Sequence, residues 1–412
     1  MFDPNDLRFL EQMTRDVVEA SRVRPGERVG GSPANTQGHT LIRPGGRGAY
    51  PAMWVRDFSM SLDSEFITLD ETAEHLKFIA KSQNGRAQRK LKSGAIIPPY
   101  AIPDHINFDG GAVFYPGTYS AGEDQGGEPY GVLPPADDHY EYIHIAHHLA
   151  VAGRQEEIDF KSLTRAFDAV EVDAATGGMV STTAEQRAVG FGFCDAIFLT
   201  GSLLFPSLLR WRACREMMRM LPEDGERYDR IAEDIATHLA PVFADPKGSG
   251  WLLAATGVGR QPDVWGTLFA LYLQVLSPKD ATNARNVAIE AVKTGTITLD
   301  GAVRHVPTTA DASPTSAWEK TAGVALNTYQ NGAYWHTPTG WLLNALYRHD
   351  PVLARKQFSE YIAHLRSQDF RKGEQFGAPW ECFGRDGAAR QNPIYMASVA
   401  LPLSVIRKIE GT

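Results

Sequence analysis

Cysteine is scarce in this 412-residue chain: Cys194, Cys214 and Cys382 are the only three. They are odd in number, far apart and outside any CxxC or Cys/His spacing, so neither a disulfide framework nor a cysteine-ligated zinc site is expected. A reducing compartment, the cytoplasm, is the simpler setting for them. Basic charge is also lacking. With 41 Lys and Arg against 49 Asp and Glu, the net charge is −8. A nucleic acid or an anionic membrane surface would want a basic face, and neither is an expected partner. No stretch approaches the ~20 apolar residues of a membrane span. The start, MFDPNDLRFLEQM, has no basic segment followed by an apolar run and does not read as a signal peptide. Neither GxGxxG nor a phosphate-binding GxxxxGK loop occurs, so no nucleotide cofactor is expected. The sequence carries no signal for the oligomeric state.

What is present is helical periodicity, over and over. An apolar content of 43% and a charged content of 22% suit a folded domain. Apolar spacing predicts twelve helices, over about 5–22, 55–68, 71–83, 137–151, 155–171, 194–220, 222–243, 263–276, 278–293, 335–348, 350–367 and 393–409. Pro206 is expected to kink the sixth. The even-numbered helices, such as DVWGTLFALYLQVL and GWLLNALY, are apolar almost all round and should be buried. The odd-numbered ones, such as RYDRIAEDIATHLAPVF, are charged on one face and read as an outer layer. Connections from even to odd helices are short. Those from odd to even are long, rich in Gly, Pro and aromatics, with strand-like pieces such as TITLDGAVRHV at 295–305. Long loops in a compact domain are usually functional. Six hairpins with an inner and an outer ring describe an all-α fold, an (α/α)6 barrel forming a single domain over 1–412. Its long loops gather at the starts of the inner helices.

Those six starts are rich in chemistry. They carry Trp54, Arg56 and Asp57; Asp137 and Asp138, with His139 and Glu141 beyond; Asp195; Asp263; Tyr329, Gln330, Asn331, Tyr334, Trp335 and His336; and Trp380 with Glu381. Any single carboxylate there reads first as a helix cap. Together with tryptophan and tyrosine they suit a sugar site, where rings stack on sugar faces and carboxylates grip hydroxyls. Glycoside hydrolysis needs two carboxyl groups across the scissile bond.

The layout resembles the six-hairpin glycosidases, in particular the inverting clan of trehalases, glucoamylases and mannosylglycerate hydrolases. WVRDF resembles that group's Trp-x-Arg-Asp substrate-binding stretch. GFCDAIFLTGSLL is similar to the Gly-Trp-Asp-Asn segment that carries the general acid, with Phe193 and Ala196 in place of the tryptophan and asparagine. NGAYWHTPTGWLL is similar to the segment opening the tenth helix, with His336 in place of an arginine, and WECFGRDGAARQNPIY to the segment holding the general base. The resemblance implies an inverting, exo-acting glycoside hydrolase with Asp195 as acid and Glu381 as base. It implies a carbohydrate substrate held by Trp54, Arg56, Asp57, Asp137, Asp138, Asp263, Gln330, Tyr334, Trp335, His336 and Trp380, and no cofactor. Asp195 must hold its proton, which burial beside Phe191 and Phe193 would favour, while Glu381 must stay ionised, with Arg385 or Arg390 as its expected neighbours.

Asp137, Asp138 and Asp263 are rivals for the role of acid. A sugar epimerase or isomerase, or a polysaccharide lyase, on the same barrel is the alternative, with His336, His139 and Tyr334 as proton-transfer groups. His144 and His148 share the i, i+4 spacing of zinc helices, but the intervening glutamate of His-Glu-x-x-His and an evident third ligand are missing, so no metal is expected. DHINFDGG at 104–111 lacks the spacing of a calcium loop.

Overall fold

Side-chain caps start most of the outer helices. Asp3, Thr68, Asp159, Ser277 and Asp350 each accept backbone N–H groups at a helix start, and Thr68 with Glu71 completes a capping box. The computed structural model describes residues 2–387 and 389–411. Among these are twelve α-helices: α1 (Pro4–Ser21), α2 (Val55–Ser61), α3 (Leu69–Ser82), α4 (Asp137–Val151), α5 (Phe160–Asp168), α6 (Leu204–Met220), α7 (Gly225–Phe243), α8 (Val264–Leu273), α9 (Pro278–Lys293), α10 (Thr339–Tyr347), α11 (Pro351–Ser367) and α12 (Ala397–Glu410).

The even-numbered helices pack in a closed circuit. α2 lies against α4, α4 against α6, α6 against α8, α8 against α10, α10 against α12, and α12 returns to α2. The odd-numbered helices flank this ring, as α7 does on α6 and α11 on α10. Burial follows. Every described residue of α2 is buried, whereas α7 buries Tyr228, Ala232, Ile235, Leu239 and Phe243 at helical spacing and exposes the opposite face.

Several predicted boundaries move. Residues 195–203 are not helical. A short 3-10 turn covers Gly192–Cys194, and α6 begins at Leu204. Pro206 therefore sits in the first turn of α6, where its missing N–H removes no helical bond, and it is not a mid-helix kink. α2 ends at Ser61 and gives way to a 3-10 turn at Leu62–Ser64. The expected strand near 295–305 is present as Thr298–Leu299 and Ala302–Arg304, and it pairs onward with Tyr334–Trp335. No helix among the described residues is long and apolar enough to cross a membrane.

Candidate active site

Strand pairing assembles one wall. Residues 52–54 run antiparallel to 105–107, with Trp54 opposite His105, just before α2 begins. The Trp54 ring stacks on His105 at 4.4 Å, and the same pairing sets Asp104 beside Arg56. The buried Arg56 guanidinium then meets Asp104 at 2.9 Å, Asp137 at 2.5 Å and Asp138 at 3.4 Å. Gly192 closes over it. A Cβ there would fall 1.8 Å from the Arg56 guanidinium carbon, so only glycine lets the 192–195 turn lie on this cluster.

That turn delivers Asp195. Gln330 holds it from behind, its amide oxygen accepting from Ala196 N at 2.7 Å and its Nε2 donating to Gly192 O at 2.9 Å. Across the opening, residues 380–382 pair with 391–393, which sets Asn392 beside Glu381. Glu381 accepts from the Tyr50 hydroxyl at 2.6 Å and from Asn392 Nδ2. Asp57 accepts from the Tyr395 hydroxyl. Asp57, Asp195 and Glu381 line one cavity of about 390 Å³ with Tyr50, Trp54, Arg56, Asp104, His105, Tyr119, Tyr329, Asn392 and Tyr395.

The carboxyls lining this cavity, and Asp138 beneath it, are shifted in different directions. Burial works against ionised Asp104, but Arg56 and His105 outweigh it and hold Asp104 below its ordinary value. Burial pushes Asp138 well above the carboxylate range, with Arg56 giving only partial relief. Burial likewise raises Asp57 to about 6, Asp195 to about 7 and Glu381 to about 8. Taken singly, Glu381 would hold its proton more tightly than Asp195. The two are electrostatic neighbours and release their protons as a pair; Tyr50 and Asn392 favour the Glu381 carboxylate, as Gln330 and the Ala196 backbone favour that of Asp195. Both Glu381 oxygens accept from donors, which favours its carboxylate. Asp195 Oδ1 is buried with no partner, as suits an acid awaiting a substrate oxygen.

The predicted site residues separate into two groups. Trp54, Arg56, Asp57, Asp195 and Glu381 line the cavity; the other eight do not. Asp137 and Asp138 lie fully buried beneath it as partners of Arg56. Asp263 is a cap, accepting from Gly266 N at 2.8 Å; among the inner helices α8 alone starts with a side-chain cap, so Asp57 is not one. Gln330 positions the Asp195 turn. Trp335 is core, packed on Phe193, Trp265 and His305. Tyr334 pairs through its backbone with Phe383, and His336 Nε2 meets His364 Nδ1 at 2.8 Å. Trp380 lies under Arg390 instead of in the cavity. The cause on the α8 and α10 side is the 294–334 loop, whose strand fills that part of the ring with buried side chains. Arg390 reaches Gln368, and the contacts of Glu381 are Tyr50 and Asn392, not an arginine. Asp104, His105, Tyr50, Asn392 and Tyr395 were absent from the expected set, since strand pairing and loop ties bring them in.

No family model matches the chain, and no curated protein matches it in sequence. Solved structures do. A GH63 mannosylglycerate hydrolase from Thermus thermophilus, in complex with glucose, superposes with a TM-score of 0.60 at 13% identity, over 97% of this chain and 100% of that one. A glycosidase variant in complex with glucose gives 0.57 at 12% identity, over 100% and 99%. The chain has a six-hairpin glycosidase-like fold. A rhamnosidase from Klebsiella oxytoca with rhamnose bound gives 0.56 at 13% identity, and there this chain spans 65% of the longer protein. At such identities the likeness carries the fold, and activity has to be argued from the site.

Proposed function

We propose that the chain is a glycoside hydrolase, a single (α/α)6 barrel over 1–412, inverting and exo-acting on a small or terminal sugar. The closed circuit of even helices with odd helices outside supports the barrel. One observation carries the activity: two buried carboxyls from different loops face one aromatic-lined cavity, Asp195 with an unpartnered oxygen and Glu381 with both oxygens accepting donors. Asp195 gives its proton to the leaving glycosidic oxygen as the bond from the anomeric carbon breaks. Glu381 takes a proton from the water whose oxygen bonds to the anomeric carbon from the opposite face. Solvent then returns one proton to Asp195 and removes one from Glu381. Inversion requires a carboxyl separation of about 6.5–9.5 Å in the substrate complex.

Asp57 and Arg56 are assigned to sugar hydroxyls, and Trp54 to a sugar face. A cavity near the small end of the ~300–1,000 Å³ typical of ligand pockets favours a terminal sugar over a long chain. Three buried, unpaired cysteines suit a cytoplasmic enzyme. The alternative of an epimerase or lyase loses the groups proposed for it, because His336, His139 and Tyr334 do not line the cavity. The test is hydrolysis of aryl glycosides and short oligosaccharides by the wild type, Asp195→Asn and Glu381→Gln. Glucosides, mannosides and rhamnosides come first, following the sugars named for the similar structures. Full activity in both variants overturns the assignment. Ketose–aldose interconversion without hydrolysis transfers it to the epimerase reading.

A further inference from the structure

The opposite end of the ring holds a second cavity, of about 310 Å³, lined by His144, His147 and His148 of α4, Glu216 of α6 and Lys408 of α12. His147 stands nine residues beyond Asp138 on α4, about 14 Å along the axis at 1.5 Å per residue. His144 and His147, at i and i+3, project from one face of α4 toward Glu216 on α6. Their ligand atoms all lie within 4.8 Å of one another. Both Nδ1 atoms face Glu216 Oε1, at 2.5 and 3.9 Å. These distances straddle the roughly 3.3 Å edge of a tetrahedral zinc shell, so small side-chain rotations suffice to seat an ion.

A second observation points to a cation. Glu216 Oε2 and Glu141 Oε1 are buried without a hydrogen-bond partner, and both residues line the cavity. The nearby Arg212 donates from Nη2 to Glu141 Oε2 at 2.7 Å and has its Nε 3.8 Å from Glu216 Oε1, which leaves Glu216 Oε2 and Glu141 Oε1 bare. A buried carboxylate oxygen left bare is costly, and a metal ion would satisfy it. We propose that His144, His147 and Glu216 form a divalent metal site of the zinc class, two imidazoles and one carboxylate with a remaining position for water. His148 is not part of it. It turns instead to Asp63, at 3.6 Å.

The test is independent of hydrolysis. Chelator-treated protein is titrated with Co²⁺ and followed by visible absorption, then challenged with Zn²⁺. The expected result is one equivalent of Co²⁺ with ligand-field bands that Zn²⁺ abolishes. Glu216→Gln and His147→Ala should weaken binding by about a hundredfold or more, since even losses outside the ligand shell cost 10–100-fold. His148→Ala should bind like the wild type. A wild type without a saturable band overturns the site, and that result needs no variant to fold. Wild-type affinity in a Glu216→Gln or His147→Ala protein of native circular dichroism also overturns it.

Discussion

The two ends of the ring match their carboxylates differently. At the loop end, Asp57 and Glu381 accept from hydroxyl and amide donors, and among the described residues Asp57, Asp195 and Glu381 form no ion pair. At the base, Asp63 meets Lys408 at 2.5 Å, Glu141 meets Arg212 at 2.7 Å and Glu216 meets His144 at 2.5 Å. Burial opposes ionisation at both ends. At the base His148 and Lys408 beside Asp63, and His144 and Arg212 beside Glu216, overcome it and hold both carboxyls below their ordinary values. At the loop end nothing of equal strength does, and the groups rise to about 6, 7 and 8. The same helices thus present an ion-paired face and a face whose carboxyls exchange protons near neutral pH, which is what an acid–base pair requires.

The largest expected effect tests that division. Asp195→Asn or Glu381→Gln should lower kcat on an unactivated glycoside by about a thousandfold, within the 10²–10⁴ typical of acid–base groups. His148→Ala at the base should leave hydrolysis unchanged, and steady-state kinetics on all three would break the comparison if the base variant fell as far.

Arg56 is the exception at the loop end, one cation set against three buried aspartates. Arg56→Met should cost about 3–5 kcal/mol by urea unfolding at pH 7, because it strands buried charge. The loss should shrink near pH 4, where those carboxyls take up protons.

The pH dependence of stability sharpens the same contrast. Asp57, Asp195 and Glu381 bind protons more tightly folded than unfolded. Their contribution to stability therefore falls as pH rises through the folded values of about 6, 7 and 8. Buried His75, His139, His305 and His336, held neutral by burial, act in the opposite sense below about pH 6.5, so the carboxyls stand alone only above that range. Calorimetry should show Tm declining from about pH 7 to pH 8.5, above the histidine range, and Glu381→Gln should flatten that decline.

The smallest effect concerns Tyr50. Tyr50→Phe removes a donor that favours the Glu381 carboxylate, worth about 1 kcal/mol. Glu381 would then hold its proton to higher pH, so the acid limb of the kcat/KM profile should move upward, with kcat reduced tenfold or less.

Much of the frame was legible because helical burial is periodic. The apolar girth of α8 and α10 and the one-sided charge of α7 announced inner and outer rings. Trp54, Arg56, Asp57, Asp195 and Glu381 were legible because they sit in short segments with a recognisable pattern. Asp104 and His105 were not, since their place depends on pairing 105–107 with 52–54 across about fifty residues of chain. Trp335 and His336 look like pocket residues in sequence, yet the strand at 302–304, earlier in the loop that leads into them, pairs with 334–335 and both side chains are buried. Asp263 shows the opposite lesson, a carboxylate at an inner start that is a cap after all. At the base, the i, i+4 pair His144 and His148 was the visible spacing. The cluster uses His147 instead, and its partner Glu216 lies more than sixty residues away.

The distinct roles of Asp195 and Glu381 are tested most directly by leaving-group dependence. A glycoside with a dinitrophenyl leaving group needs no proton donor, whereas an alkyl glycoside does. The account predicts that Asp195→Asn retains near wild-type kcat on the dinitrophenyl glycoside and loses it on the alkyl one, while Glu381→Gln loses both. Equal losses on the two substrates in Asp195→Asn, or a Glu381→Gln enzyme rescued by the better leaving group, would contradict it.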